Sequence, residues 1–392
     1  MNRISVLVDI KSLLKHQGIL LILFFLTQFT IFNGYIHVYI KVLFCSLVLF
    51  KLFFRYRSSF FLLAFCISNS LFLFVSGVIP SRFEVFAILI GPIAYYLYGY
   101  YVIDTCKCKE ELSTFFLLFI FASSIQLWVS NIHDAIDVGI INTSRAILND
   151  TGTQDHSATL QGLMAAFGLS GIAYPIAEFK HFSTKSLCYT CAALLSLFCV
   201  IHLVNRTGLV VIVAVLFITS IYSVRANIKS LIFIIFVLVV MFVILNNIGL
   251  ISTDVLDAYI NREADASIKD GSDRFGRWIN SFGYMFSYPL GWAKSLNQVG
   301  YSHNLWLDVA RCTGLVPFSL LLITSIKNYK KTLRLFFLKG FSINGFLVGY
   351  SVGLFLSAFV EPVIEAVSTF FFIMCMVWGM QQAYMDKNFD LT

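Results

Sequence analysis

Apolar runs of about 18 to 22 residues recur along the whole chain, and this feature constrains the fold more than any other. Such a run is long enough to cross the hydrocarbon core of a bilayer as an α-helix. It must be helical there, because lipid offers no hydrogen-bond partner for exposed backbone groups. The composition agrees, since the 392 residues are 58% hydrophobic and only 12% charged, whereas soluble domains carry roughly 25% charged residues. We therefore predict an all-α, polytopic integral membrane protein, with residues 1–392 forming a single transmembrane domain.

About twelve transmembrane helices are predicted when length is considered first and charge second. Their approximate limits are 18–34, 36–54, 58–80, 84–103, 112–130, 158–178, 186–204, 208–224, 230–250, 304–325, 340–360 and 366–384. Lys and Arg collect before the first span and in the loops that follow even-numbered spans, whereas the short loops on the other side hold only Arg82 and Arg206. Because basic residues favour the cytoplasmic side, we predict that both termini are cytoplasmic. The net charge of +7 then reflects topology rather than nucleic-acid binding.

Two predicted outward loops are long, and long loops frequently carry function. The first, about 131–157, is acidic, and the second, about 251–303, is the large periplasmic loop between spans nine and ten. Within the second loop, the passage SDRFGRWINSFGYMFSYPLGW begins with a capping Ser-Asp pair and ends with Pro289 and Gly291, which stop helices. The passage predicts an amphipathic helix at about 273–288 that lies on the membrane surface.

Three outward arginines are candidate ligands for an anion. Arg206 closes the outward end of span seven, where a guanidinium is costly unless it is paired, reaches the outer headgroups or binds a ligand. Its planar fork matches phosphate oxygens in two directions. Arg274 and Arg277 lie on the predicted loop helix, and Trp278 shares a face with Arg274 because it follows four residues later. A solvated or lipid-facing helix would explain these two arginines equally well.

The passage GYSHNLWLDVARCTG places several polar side chains at the start of span ten. At roughly 100° per residue, a helix that includes His303 places three polar residues within about 140° of it, namely Asn304, Asp308 and Arg311. Ser302 is the predicted cap of this helix. Histidine is the natural proton acceptor for a hydroxyl near neutral pH, although a structural histidine held by a carbonyl is an alternative. Asp308 and Arg311 are three residues apart and could simply neutralise one another.

Three blocks of the sequence resemble the O-antigen polymerase and O-antigen ligase superfamily of bacterial envelope proteins, in the order of that family. They are NRTGLVVIVAVL, RFGRWINSFGYMFSYPLGW and SHNLWLDVARCTGLVPF. The resemblance covers residues 204–318 and is only topological elsewhere. Two departures stand out: PLGW replaces the commoner Pro-Leu-x-Gly-x-Gly ending, and Cys312-Thr313-Gly314 is less apolar than usual before its glycine.

The resemblance implies a glycosyltransferase that moves a glycan from an undecaprenyl-diphosphate carrier to an acceptor hydroxyl, without a metal or other cofactor. The reaction would take place at the periplasmic face of the bacterial inner membrane. His303 would be the general base, while Arg206 and Arg274 would bind the diphosphate, with Arg277 as the alternative to Arg274. Four residues would support the site: Asn304, Asp308, Arg311 and Trp278. The implied partners are the carrier-linked donor and acceptor, membrane lipid and, as a further candidate, a chain-length regulator protein, but not nucleic acid.

Three functions are compatible with these residues. A polymerase joins one carrier-linked repeat unit to another, and we favour this function. A ligase delivers the finished chain to the lipid A core, and it needs the same base and the same diphosphate ligands. A flippase for lipid-linked oligosaccharide belongs to another class and would carry charge near the membrane midplane, whereas Lys41 is nearly the only charge inside a predicted span.

Overall fold

The computed structural model describes residues 3–28, 35–56, 58–78, 82–142, 146–148, 154–178, 183–226, 274–296, 300–338, 342–361 and 363–386. The first eight helices in these ranges are α1 (Arg3–Gln17), α2 (Ile19–Gln28), α3 (Tyr35–Leu52), α4 (Phe60–Ser76), α5 (Arg82–Thr105), α6 (Lys109–Val138), α7 (Ala158–Gly171) and α8 (Ala173–Ala177). They are followed by α9 (Thr184–His202), α10 (Arg206–Ala226), α11 (Arg274–Ser287), α12 (Leu305–Thr313), α13 (Leu315–Phe337), α14 (Ser342–Val360) and α15 (Val363–Asp386). Strands β1 (Ala146–Leu148) and β2 (Gln154–Ser157) lie between α6 and α7.

The described part of the chain has five helical segments that are long and apolar enough to cross a membrane. These segments are Arg82–Thr105, Lys109–Val138, Ala158–Ala177, Thr184–His202 and Ile343–Val360. The helices Asp9–Gln17 and Ile19–Gln28 add a sixth if they form one span, although they are bent by 106° at the break between them. The helical, apolar character that we predicted is therefore present. The number of twelve spans and the sidedness of the termini stay predictions, and the predicted span at 230–250 lies outside the described residues.

The segment predicted as the first long loop, about 131–157, has more regular structure than expected. Helix α6 continues to Val138, and near its end His133 Nδ1 and Asp137 Oδ2 lie 3.4 Å apart in an exposed pair that adds little stability. Further on, β1 and β2 pair antiparallel, with Ile147 opposite His156. The fold is all-α as predicted, apart from this short two-stranded sheet, whose ladder satisfies backbone groups in a connection that has no helix.

Span ten was predicted as one helix at about 304–325, and this prediction was wrong. The structure divides it at Gly314 into α12 and α13. Gly314 has φ 85° and ψ −167°, a backbone conformation that is essentially restricted to glycine. The next amide, Leu315 N, donates to the carbonyl of Pro289 at 2.8 Å instead of continuing the helix. A contact with a distant loop therefore ends α12.

The chain divides into two compact units, and the single transmembrane domain stays a prediction. The first unit comprises Met1–Ala122, Asp273–Arg334 and Ala358–Thr392, and the second comprises Ser123–Ser272 and Leu335–Ser357. A division of this kind is typical of chains longer than about 250 residues, because a single apolar core stops growing near that size.

In the first unit, α5 packs closely along α15. Gly99 faces the backbone carbonyl of Met376, and Gly379 faces the backbone carbonyl of Tyr96, so that a β-carbon at either glycine would collide with the opposite helix. Small residues at such positions let two apolar helices approach each other closely. The pair α5–α15 is therefore held by the close fit of its backbones, and Tyr100 adds a hydrogen bond to Asp386 at 3.1 Å.

In the second unit, aromatic rings connect the ends of α8, α9 and α14. Tyr174 and Tyr189 stack with ring centroids 4.5 Å apart, and the ring of Phe346 lies edge-on to both at 6.0 Å. Trp128 on α6 donates its indole N–H to Ser196 Oγ at 3.0 Å. Such offset and edge-on contacts each add to the stability gained from apolar burial.

Candidate functional site

We had predicted that His303 lies on a helix. It lies instead in the turn before α12. Its φ is 53°, so its backbone is left-handed, and α12 begins only at Leu305. The cap is Asn304 rather than Ser302, because Asn304 Oδ1 accepts hydrogen bonds from the amides of Trp306 (3.1 Å) and Leu307 (3.2 Å). Asparagine satisfies the free amides of a first helical turn well. His303 therefore projects from a turn held at the mouth of the helix.

The carboxylate of Asp308 holds this turn in place from inside α12. Its Oδ1 accepts the amide of Ser302 at 2.7 Å, and its Oδ2 accepts the amide of Asn304 at 3.1 Å. These two amides lie on either side of His303, and Asp308 is only 1% exposed. A left-handed conformation costs a non-glycine residue of order 1 kcal/mol and persists only where the surroundings enforce it. Asp308 supplies that constraint, so its role is to position His303.

Replacing Asp308 with alanine is expected to lower the free energy of unfolding by about 3 kcal/mol, because two backbone donors lose their partner at roughly 1–3 kcal/mol each. Thermal unfolding in detergent, followed by tryptophan fluorescence, measures this loss. Asp137→Ala is the matched control, because the Asp137 side chain is 63% exposed. Equal melting temperatures for the two variants would contradict the proposed constraint.

Helix α11 also holds the His303 turn in place, through side-chain hydrogen bonds. Trp278 donates its indole N–H to the carbonyl of Ser302 at 2.9 Å, and Ser281 Oγ shares a hydrogen bond of 2.8 Å with Ser302 Oγ. Arg277 donates to the carbonyl of Tyr301 at 3.4 Å. The structure thus brings Trp278 and Arg277 to the turn that carries His303. Helix α11 begins at Arg274, but the Arg274 side chain lies outside the described part of the structure.

The loop after α11 closes onto the end of α12. The amides of Trp292 and Ala293 both donate to the carbonyl of Arg311, at 2.9 and 3.0 Å. Trp292, the residue at which PLGW departs from the family pattern, is fully buried against Met285 and Ala310. The departure therefore has a structural role, since the indole fills the space between α11 and α12.

Glu361 approaches His303; the sequence suggests that Glu361 and Glu365, in the predicted last outward turn, could shape an acceptor site or cap span twelve, but it does not predict this contact. The distance between His303 Nδ1 and Glu361 Oε2 is 3.7 Å, and the exposed fractions of the two side chains are 23% and 3%. The guanidinium of Arg311 lies 5.1 Å from the centroid of the Tyr301 ring. The sequence signal for this contact is that Glu361 is an acidic residue in a short turn of a strongly apolar chain. A carboxylate buried in such a chain needs a partner.

Arg206 belongs to the second unit, where it is the first residue of α10. The turn before it is tight: Asn205 Oδ1 accepts the amide of Gly208 at 3.1 Å, and Asn205 Nδ2 donates to the carbonyl of Ala158 at 2.7 Å. Val204 in this turn has φ 50° and, with His303, makes up the non-glycine residues of the described ranges with positive φ. Backbone strain of this kind collects at functional sites. In the described ranges it occurs in the turn of His303, the predicted base, and in the turn before Arg206, a predicted diphosphate ligand.

A buried histidine–aspartate pair lies just before the Arg206 turn, and the sequence reading missed it. His202 is 0% exposed; its Nδ1 is 2.9 Å from the carbonyl of Ile140, and its Nε2 is 2.8 Å from Asp134 Oδ2. The same carboxylate oxygen accepts Asn142 Nδ2 at 2.7 Å, so it acts as an acceptor. A carbonyl oxygen can only accept, so Nδ1 of His202 donates to Ile140, and Asp134 is the partner of the other ring nitrogen.

Replacing His202 with alanine is expected to destabilise the second unit by about 3 kcal/mol, because the carboxylate of Asp134 and a carbonyl lose their hydrogen-bond partner. This value is at the low end for a broken buried pair, since Asp134 is 13% exposed and water can partly replace the ring. Thermal unfolding in detergent again measures the change. His133→Ala, at a side chain that is 80% exposed, should leave the melting temperature unchanged; a similar loss in both variants would refute the pairing.

The chain matches no protein-family model and no curated protein sequence. Its site therefore has to be understood from its own chemistry. Within the described ranges, no group of three or more His, Cys, Asp or Glu side chains is arranged to hold a metal ion. What the first unit does place together is a partly exposed imidazole, a buried carboxylate and guanidinium groups, which can accept a proton and bind an anion.

Proposed function

We propose that the protein polymerises oligosaccharide repeat units carried on undecaprenyl diphosphate, at the periplasmic face of a bacterial inner membrane. One observation carries the proposal: the imidazole of His303 is partly exposed while its strained turn is held by Asp308, Trp278 and Ser281. A base held in one geometry before substrate arrives is what glycosyl transfer to a hydroxyl needs. The resemblance of this block to the O-antigen polymerase and ligase superfamily supplies the substrate class.

In the proposed reaction, His303 removes the proton of an acceptor sugar hydroxyl. The hydroxyl oxygen forms a bond to the anomeric carbon of the donor, while the bond from that carbon to the diphosphate oxygen breaks. The electron pair of the broken bond stays on the diphosphate, and the imidazolium later returns its proton to water. Arg274 or Arg277 would neutralise the charge that develops on the diphosphate, and the role of Arg206 as a further ligand stays a prediction from the sequence.

The exposed face of α11 supports a location at a membrane surface. Four large apolar side chains at helical spacing are exposed on it: Phe275, Ile279, Phe282 and Phe286. The opposite face packs Ser281 and Met285 into the protein. An apolar stripe of this kind is typical of helices that lie in the lipid interface, where a substrate with a lipid tail is also found.

The proposed topology has about twelve spans, cytoplasmic termini and an outward site. We expect alkaline phosphatase fused after Gly139 or Gly300 to be active, and a fluorescent protein fused after Lys109 or Lys331 to fluoresce. Alkaline phosphatase folds only outside the cytoplasm, so the exchanged fusions at the same four positions are the control. Phosphatase activity after Lys109 would contradict the predicted orientation.

The function is tested by incubating the purified protein with carrier-linked repeat units, with and without a lipid A core acceptor. We expect a ladder of products that differ by one repeat unit, with no need for the core. Products that appear only on the core would identify a ligase and overturn the proposal. Transfer of the intact lipid-linked oligosaccharide across a vesicle membrane, without any ladder, would identify a flippase and overturn it as well.

A further inference from the structure

We propose that Glu361 is a positioning residue for His303, and that its carboxylate selects which ring nitrogen accepts the substrate proton. The inference rests on the proposed function, in which His303 is the base. It assigns a role to a residue in the short turn between α14 and α15, more than fifty positions after the histidine. The role concerns the tautomer and the charge of the imidazole rather than contact with the sugar.

The geometry of the pair favours one tautomer of His303. Nδ1 is the ring atom that faces Glu361, at 3.7 Å from Oε2, and it has no hydrogen-bond partner among the described residues. A carboxylate beside Nδ1 favours a proton on that atom, because a neutral imidazole has one donor and one acceptor nitrogen. Nε2 then keeps its lone pair. Nε2 is therefore the atom that accepts the hydroxyl proton, and the contact shortens when substrate binds, as catalytic hydrogen bonds frequently do.

The position of Glu361 is set by the residues that build the His303 turn. Asn304 caps α12 with Oδ1 and donates through Nδ2 to the carbonyl of Phe359 at 3.0 Å. The ring of Phe359 packs edge-on against Trp278, with centroids 5.0 Å apart. The end of α14 is thus tied to both α11 and α12. Glu361 follows directly after this end of α14, so these two contacts hold its carboxylate near the His303 turn.

Of the carboxylates Asp308 and Glu361, Glu361 is the one with an oxygen beside the His303 ring. Asp308 is occupied by two backbone amides. On α12, Arg311 lies over the Tyr301 ring, and on α11, Arg277 reaches the Tyr301 carbonyl. A carboxylate beside the ring can stabilise the positive charge that develops during proton transfer. Since the ring becomes positive only as the hydroxyl proton arrives, the carboxylate stabilises the transition state more than the ground state.

The test compares Glu361→Gln and Glu361→Asp in the polymerisation assay across pH. We expect Glu361→Gln to lower kcat by about 100-fold with little change in KM, as when a base loses its orienting carboxylate. The rate should stay low at every pH tested, because the substitution removes the group that orients the ring. Glu361→Asp, which keeps the charge, should recover part of the rate. Glu110→Gln, at an exposed position, is the matched control.

A second measurement separates this inference from the proposed function. Nitrogen NMR of ring-labelled histidine reads the tautomer without any assay, and the resonances missing from His303→Ala assign His303 among the seven histidines. We expect Nδ1–H in the wild type and a mixture of tautomers in Glu361→Gln. An unchanged tautomer together with wild-type kinetics in Glu361→Gln overturns the inference, while an inactive His303→Ala still upholds the proposed function. Full activity in His303→Ala overturns the proposed function, and the NMR result then reports the Glu361 contact alone.

Discussion

Replacing His303 with alanine is expected to lower the rate of chain extension by about 100-fold or more, the usual effect of removing a general base. The reason is geometric as well as chemical: the ring projects from a turn held by Asp308 and α11, so no other side chain can take its place without moving that turn. The initial rate of product formation, resolved by size on a gel, measures the effect.

The backbone of His303 calls for a second variant. His303→Asn suits the left-handed conformation, because asparagine adopts it more readily than most residues, but it cannot act as a base near neutral pH. We expect it to be as inactive as His303→Ala while melting at the wild-type temperature or above. His133→Ala removes an exposed histidine and should keep full activity. An active His303→Asn would mean that the turn, and not the imidazole, is what matters.

The largest expected effect on stability comes from Gly314→Ala. A β-carbon there would collide with the carbonyl of Pro289, and φ 85° with ψ −167° is unfavourable for alanine. Backbone strain and overpacking each cost about 1–3 kcal/mol, so we expect a loss of about 3 kcal/mol or more in the free energy of unfolding. Thermal unfolding in detergent measures this loss. We also expect chain extension to be lost, because α12 holds the His303 turn.

Gly283→Ala is the control for this substitution. Gly283 is exposed on α11, and a β-carbon there would meet nothing within 4 Å. Alanine restricts the unfolded chain and favours the helix, so we expect a gain of about 0.5–1 kcal/mol. If both glycine variants gained stability, the close approach of Pro289 to Gly314 would be wrong.

The sequence was sufficient for features that depend on neighbouring residues. Apolar runs predicted helices of membrane-spanning length, and the capping pair with Pro289 and Gly291 predicted the helix that the structure has at Arg274–Ser287. The choice of Ser302 over Asn304 as the cap failed because both residue types cap helices and only the fold selects between them. With Ser302 as the cap, His303 would lie on the helix; with Asn304 as the cap, it lies before the helix.

Contacts between distant parts of the chain could not be predicted from one sequence. The break at Gly314 depends on the carbonyl of Pro289, and the carboxylate near His303 comes from the turn after α14. The pair of His202 and Asp134 joins the ends of two helices in the same way. Each residue alone resembles an ordinary glycine, acid or histidine of a membrane protein, and only its partner gives it a role.

The closure of the Pro289 loop onto α12 has a consequence for backbone opening. The amides of Trp292, Ala293 and Leu315 lie outside regular helix hydrogen bonding, yet each donates to a carbonyl across the closure. Their deuterium uptake should therefore be as slow as that of α12 itself, and all of them should become labelled together. Loop and helix would then behave as one cooperative unfolding unit, which opens only when the buried indole of Trp292 leaves its place.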